Sequence, residues 1–209
     1  MRKNLLKFLW MTAAGLAMVG CYPAGPDYVE DLDVVYTDHD PNFDFKSKNT
    51  YSRPDKIVVD IDKNGDTICM KDKFAIPILQ KIDANMEANG WTKVAINSNP
   101  SNGPVPDVLL TPAGIKSTTL FYTYWYDWWY GGYYPGWGWG YPPYYSVSSI
   151  TTGTLVIVMA DPNSDSAVGK TQRAWLATMS GILTGSYNQS RIDFAIDQSF
   201  KQSPYLNTK

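Results

Sequence analysis

A run of aromatic residues interrupted by Gly and Pro is the feature that most restricts how this chain folds. TTLFYTYWYDWWYGGYYPGWGWGYPPYY runs from Thr118 to Tyr145 and contains half of the chain's 8 Trp, 15 Tyr and 7 Phe residues. Its Gly-Gly, Pro-Gly and Pro-Pro pairs exclude a continuous helix or a central strand. The alternation from Phe121 to Tyr126 is strand-like. We therefore predict a hairpin insert, residues 118–145, with an aromatic loop at its tip.

Three roles are open for this aromatic insert. Its rings can stack on Gly and Pro, stiffen the loop and cover a sheet face. They can instead offer rigid contact area to a sugar or a protein, or enter a membrane interface. Our hypothesis is the second, a partly exposed surface for a glycan or protein partner. Its candidate binding residues are Trp128, Trp129, Tyr133, Tyr134, Trp137 and Trp139.

The start of the chain predicts export. Residues 1–20 combine an early cluster of Arg and Lys with a short apolar run, which is typical of a secretory signal peptide rather than a membrane span. The run ends in Met18-Val19-Gly20-Cys21, which resembles the lipobox of bacterial lipoproteins. That resemblance implies cleavage before Cys21 and acyl chains on this residue that hold the protein at a membrane. An ordinary signal peptide with a chance cysteine is the alternative.

The residues after Cys21 bear on where the protein is held. Residues 21–31 are rich in Pro, Gly and acidic residues, as expected of a lipidated tether. Residue 22 is Tyr and not the Asp that retains some lipoproteins in the inner membrane, so we expect an outer-membrane lipoprotein of the cell envelope. Orientations toward the periplasm and toward the outside are both open.

Composition excludes some partners of the exported part. Removing the 20-residue signal leaves 189 residues, a length suited to one domain with a core. Loss of Arg2, Lys3 and Lys7 changes the net charge from −2 to −5, and no basic stripe remains. Nucleic acid is therefore not an expected partner.

Cys and His are too few for common nucleophilic sites. With Cys21 acylated, Cys69 is the remaining thiol, and His39 is the single histidine. A Cys-His pair would need these two residues, and no G-x-S-x-G motif accompanies His39. We interpret Cys69 as a small buried apolar residue and His39 as a turn residue.

The stretch DIDKNGDTI begins like a calcium-binding loop. Asp60, Asp62 and Asn64 occupy the first, third and fifth ligand positions. The twelfth position is Lys71, where such a loop requires Glu, and the flanking pattern is strand-like. We therefore predict a hairpin turn at Asn64-Gly65, with a weak calcium site as the alternative and no cofactor expected.

Apolar periodicity predicts the fold. Helical stripes span Phe74–Asn89, after a possible N-cap at Asp72, and Gln189–Gln202. The predicted strands are a first one through Leu32, Val34 and Tyr36, then Lys56–Ile61, Trp91–Ile96, Asp107–Thr111, a run from Ile115 toward Trp128, TLVIVMA and Arg173–Thr178. Stripes and alternating strands bury their apolar sides against each other. We predict one α+β domain, residues 32–209, with a mainly antiparallel sheet and two helices on it.

Several segments together resemble a family of bacterial lipoproteins, the domain of unknown function 4136 family. They are VVYTDHDPNFDFKSKNTY, NGW, PDVLL, TTGTLVIVMAD, an Ala-Trp pair and IDFAIDQSFKQSPYL, in the family's order. The resemblance implies a compact α+β domain and a Tyr/Trp-rich insert, and no established reaction. Three sites depart from the family pattern. This chain has His39 where the family usually has an aromatic residue, and Val158 where it often has an acid. It has Leu176-Ala177 where the family has a basic residue followed by a small one.

We therefore expect a lipid-anchored, non-enzymatic binding or structural module whose partner is an envelope protein, peptidoglycan or a glycan. The alternative is a carboxylate-dependent envelope hydrolase using Asp107, Asp127 and Asp161, the acids nearest the predicted strand ends. Glycoside hydrolysis would need two of these carboxyl groups roughly 5 to 9.5 Å apart. Function must be argued from such a site and not from the fold.

Overall fold

A computed structural model of the protein describes residues 34–61, 67–95, 105–115, 153–162 and 172–209. Within these ranges lie eight strands, two α-helices and two short 3-10 turns, at Phe45–Ser47 and Pro204–Leu206. The strands are β1 (Val34–His39), β2 (Thr50–Ser52), β3 (Val58–Ile61), β4 (Thr67–Cys69), β5 (Thr92–Lys93), β6 (Val108–Ile115), β7 (Thr154–Asp161) and β8 (Gln172–Ser180). The helices are α1 (Asp72–Ala88) and α2 (Gln189–Lys201).

All eight strands form one sheet in the order β1-β8-β7-β6-β2-β5, and β3 joins β6 on one side and β4 on the other. The long central pairs β1-β8, β8-β7 and β7-β6 are antiparallel, as is β3-β4. The short strands β2 and β3 lie parallel to β6. The predicted α+β domain with a mainly antiparallel sheet and two helices is confirmed.

Both helices pack on the same face of the sheet. Their buried stripes are Ala75, Ile78, Leu79, Ile82 and Met86 on α1 and Ile192, Ala195, Ile196, Ser199 and Phe200 on α2. These side chains join one core with the inward residues of the central strands, such as Leu155, Ile157 and Trp175. The two helices run parallel to each other, because Phe74 contacts Tyr187 near their N-termini while Asn85 bonds Asp197 further along.

The start of α1 differs from the prediction. Lys71 is the N-cap and makes no side-chain cap bond, so Asp72 is the first helical residue and not the cap. A carboxylate is still favourable there, because it faces the positive end of the helix dipole. The predicted end is confirmed, since Gly90 adopts a φ of 96°, a left-handed conformation that favours Gly.

The sheet face away from the helices is also apolar and buried at its centre. Register partners on neighbouring strands share a face, and Thr111, Val158 and Leu176 follow one another across β6, β7 and β8. Each is less than 9% exposed, whereas Val34 on the edge strand β1 is 59% exposed on the same face. We call this surface the second face.

Strand β6 is longer than predicted. The sequence indicated a strand that ends at Thr111 and another that starts at Ile115, because Pro112 and Gly114 usually interrupt strands. The structure has one strand through both residues. Pro112 lies where the outer neighbour of β6 changes from β2 to β3, so one outer ladder ends before the next begins. Gly114 leaves room for Val59 and Leu183, which a Cβ would approach to 3.0 and 3.2 Å.

The sheet has two distinct ends. Four strand ends meet at one of them, at Val34, Ile115, Thr154 and Ser180. We call it the insert end, because residues 116–153 connect β6 to β7 there. At the opposite end the C-terminal residues pack against the domain. Trp91 Nε1 donates a hydrogen bond to Leu206 O at 2.7 Å. None of the helices in the described ranges is long and apolar enough to cross a membrane.

Candidate binding surface at the insert end

The base of the aromatic insert is a closed, hydrogen-bonded junction. Gly153 N donates to Ile115 O at 2.9 Å, and Leu183 N donates to Gly153 O at 2.8 Å. Gly153 has a φ of 83°, and a Cβ there would lie 2.8 Å from the backbone nitrogen of Thr184. Only Gly fits this junction without strain. The two strands that carry the insert are therefore fixed to the loop that follows β8.

That loop forms the wall of a cavity. Residues 184–189 and Arg191 line a volume of about 460 Å³ at the start of α2. Arg191 holds the loop, since its guanidinium donates to Gly181 O at 3.1 Å, and Asn188 caps α2 by accepting from Arg191 N. The residues that line the cavity are therefore mostly polar, and hydrogen bonds from Arg191 connect their loop to Gly181.

An aromatic pair lies beside this cavity. The rings of Phe74 and Tyr187 are 4.4 Å apart, and the Lys73 ammonium lies 4.7 Å from the Phe74 ring centre. Tyr187 donates a hydrogen bond to Gln189 and is still exposed to solvent. Partial burial, together with the nearby Asp193 carboxylate, raises the pKa of Tyr187. Its hydroxyl therefore stays protonated at neutral pH and remains a donor.

The residues predicted to bind lie outside the described ranges. This applies to Trp128, Trp129, Tyr133, Tyr134, Trp137 and Trp139, to the lipidation candidate Cys21, and to Asp127 of the hydrolase alternative. The structure does show where the insert is attached, through Ile115 and Gly153. Gly153 also accepts a hydrogen bond from Leu183 N, at the start of the loop that carries Tyr187.

The calcium-like stretch is flanked by a hairpin. Strands β3 and β4 pair antiparallel, with Ile61 opposite Thr67, as the hairpin interpretation predicts. Asp60 lies on β3 opposite Ile68, while Asp62 and Asn64 fall outside the described residues. In the parts of the chain that the structure describes, no group of three His, Cys, Asp or Glu side chains could hold a metal ion.

Two of the three hydrolase candidates lie near each other at the end opposite the insert. Asp107 accepts hydrogen bonds from the backbone of Asn49 and from both donors of Thr50, at 2.7–3.0 Å. Asp161 is buried and pairs with Lys48 at 3.2 Å. Both carboxylates therefore fasten the segment before β2 to the ends of β6 and β7.

The protonation state of Asp107 does not suit acid catalysis. Burial raises the pKa of this carboxyl, but the hydrogen bonds from Asn49 and Thr50 outweigh burial and hold the pKa below its usual value. A general acid needs the opposite shift. Asp107 is better explained as a structural acceptor.

His39 and Cys69 do not form a catalytic pair. His39 is the last residue of β1 and not a turn residue, and its ring stacks on Tyr205 with centroids 3.8 Å apart. Cys69 is half-buried on β4. The two residues therefore lie on opposite sides of the sheet order, with β8, β7, β6 and β3 between their strands.

A buried polar network on α1 was missed by sequence reasoning. Asp83 accepts from Tyr51 Oη at 2.9 Å, from Arg53 Nε at 2.8 Å and from Lys93 Nζ at 3.0 Å. Burial raises the pKa of Asp83, but the hydrogen bonds from Arg53 and Lys93 outweigh it and leave the pKa below its usual value. Burial and the bond to Asp83 raise the pKa of Tyr51. The network joins β2, β5 and α1.

The comparisons with known proteins agree with this architecture. The family described as Domain of unknown function (DUF4136) matches residues 35–205. The chain belongs to this family. A DUF4136 family protein from Bacteroides thetaiotaomicron VPI-5482 has a similar crystal structure, with 30% sequence identity and a TM-score of 0.66 over 85% of this chain and 98% of that one. No curated protein matches the sequence.

A second solved structure is more distant. The PelC dodecamer from Paraburkholderia phytofirmans is 11% identical, with a TM-score of 0.40 over 85% of this chain and 99% of that one.

The structure relates two of the departures from the DUF4136 pattern. Val158 and Leu176 are directly opposed on β7 and β8, on the second face. The acid and the base that the family resemblance implies at these sites would therefore face each other, and this chain replaces them with an apolar pair. The third departure, His39, keeps an aromatic contact through Tyr205.

Proposed function

We propose that this protein is a lipid-anchored, non-enzymatic binding module of the cell envelope. Acyl chains on Cys21 would hold it at the outer membrane, and the aromatic insert would contact an envelope protein, peptidoglycan or a glycan. The observation that carries the binding role is the connection between β6 and β7. Ile115 and Thr154 are adjacent partners in register, so a tight turn would join them, yet 38 residues, 116–153, stand between them.

The scaffold below this insert suits a binding module. Strands β6, β7 and β8 form the centre of the sheet, and their side chains are buried on both faces. Binding residues are commonly carried on loops that a rigid scaffold positions. The junction at Gly153 fixes both ends of the insert to that scaffold.

The lipid anchor is tested by Cys21→Ser in the producing bacterium. We expect the variant to lose incorporation of labelled palmitate and to move from the membrane pellet to the soluble fraction, because several acyl chains each contribute about 0.8 kcal/mol per buried methylene. Cys69→Ser, which changes the other cysteine, should keep both properties. Continued pelleting of Cys21→Ser with label incorporated would refute the anchor.

The binding role of the insert is tested by Trp137→Ala combined with Trp139→Ala. Partner recovery after cross-linking should fall about tenfold or more, as for aromatic hot spots. The melting temperature should change by less than about 3 °C. Trp175→Ala is the matched control, since it removes a buried core ring and should lower stability strongly. A large loss of stability in the insert variant, with unchanged partners, would assign these rings to the core.

A further inference from the structure

Exposed apolar side chains are concentrated at the insert end. Six large apolar residues in the described ranges are exposed: Val34, Tyr36, Ile68, Ile76, Tyr187 and Phe194. Val34, Ile68, Ile76 and Tyr187 lie at the insert end, at the start of β1, on β4, in the second turn of α1 and just before α2. The described residues of the opposite end contribute none, since their rings are covered by the C-terminal turn.

The N-terminal segment that leads from the proposed anchor at Cys21 joins the domain at this same end. Twelve residues, 22–33, separate Cys21 from Val34, where β1 begins at the insert end. A segment of twelve residues spans at most about 45 Å when fully extended, and about 20 Å as a random coil. A bilayer that holds Cys21 is therefore held close to the insert end.

The chemistry of this end suits a bilayer interface. Tyr187 combines an apolar ring with a hydroxyl that donates to Gln189, and such rings favour the headgroup zone. Lys71 and Lys73, beside the start of α1, are exposed and can contact anionic headgroups. A short tether also raises the local concentration of lipid, so a weak contact becomes populated.

We propose that the insert end is a second membrane contact, in which Ile68, Ile76 and Tyr187 touch the bilayer interface. The proposal deepens the proposed function and rests on its lipidation of Cys21. It orients the domain so that the insert end, with Val34 and Ile115, faces the membrane. The C-terminal turn at Pro204–Leu206 then faces away from it. The aromatic insert would then meet its partner next to the bilayer surface.

Depth-dependent fluorescence quenching tests this orientation in the full-length lipidated protein. An environment-sensitive dye is attached at Ile76→Cys, in a Cys69→Ser background, after reconstitution into vesicles of phosphatidylethanolamine and phosphatidylglycerol. The matched control is Ala88→Cys, exposed at the other end of the same helix and about 18 Å away. A nitroxide on the lipid headgroup region should quench the dye at position 76 at least about twice as strongly as the dye at position 88.

The outcomes separate the two proposals. Equal quenching at both positions, with the protein still bound to the vesicles, would overturn the membrane contact and leave the anchor intact. Loss of vesicle binding in the lipidated protein would overturn both. The vesicles contain no other protein and no glycan, so stronger quenching at position 76 cannot come from such a partner.

Discussion

Val158→Asp is expected to lower the free energy of unfolding by about 4 kcal/mol or more, enough to leave much of the protein unfolded. Val158 lies at the centre of the second face between Thr111 and Leu176, and it is 8% exposed. A carboxylate at this position would lose its hydration, and neither register partner carries a charge. Arg173 on β8, which lies opposite Ala160, is already paired with Asp38. Urea unfolding followed by circular dichroism measures the effect.

Val34→Asp provides the matched control. It makes the same chemical change on the same face, but at an exposed position on the edge strand β1. Surface substitutions usually change stability by less than about 0.5 kcal/mol. Similar small effects of both variants would show that the second face is open to water in solution.

The second large effect is expected for Asp83→Ala. Arg53 is buried and relies on Asp83 for two hydrogen bonds, while its other acid, Asp55, is 3.7 Å away and almost fully exposed. Removing one partner of a buried pair leaves the other charge uncompensated, which costs about 3–5 kcal/mol. The same unfolding experiment measures this loss.

Asp197→Ala is the control for Asp83→Ala. Asp197 lies on α2, pairs with Lys81 at 2.7 Å and is half exposed, so its removal should cost about 1 kcal/mol or less. Equal losses from both variants would contradict the proposed role of burial.

The Asp83 network also predicts acid sensitivity. The pKa of Asp83 is lower in the folded than in the unfolded protein, so the folded state binds fewer protons. The stabilisation is therefore complete above the unfolded pKa of about 3.9 and is lost as the pH falls through the folded pKa. Asp83→Asn should show a weaker fall in stability over this range than the unchanged protein.

The sequence predicted helices and strands best where the apolar residues repeat with one constant spacing. The stripes that predicted the helices near residues 74–89 and 189–202 match α1 and α2 within two residues, and the KIVVDI and TLVIVMA runs match β3 and β7. These patterns work because each element buries one side against a neighbour. The family resemblance added the order of the elements.

Pairing and long-range contacts were not predictable in the same way. Pro112 wrongly indicated a break in β6. Whether a Pro interrupts a strand depends on which strand lies on its outer side, and that neighbour comes from elsewhere in the chain. Asp83 is one polar position on a helix, and nothing local marks Arg53 and Tyr51 as its partners. Tyr187 lies in a loop and Arg191 lies in the first turn of α2. No repeat of apolar residues marks either position in the sequence.

The pairing of β1 with β8 affects how the chain must fold. Val34 and Ser180 are register partners in the sheet but are separated by most of the sequence. Proteins rich in such distant contacts fold slowly, because the loop-closure entropy is lost before the contacts form. Because the chain is synthesised from its N-terminus, β1 stays unpaired until residues 172–180 have also been made. During that interval its open edge is available for wrong pairing with another chain.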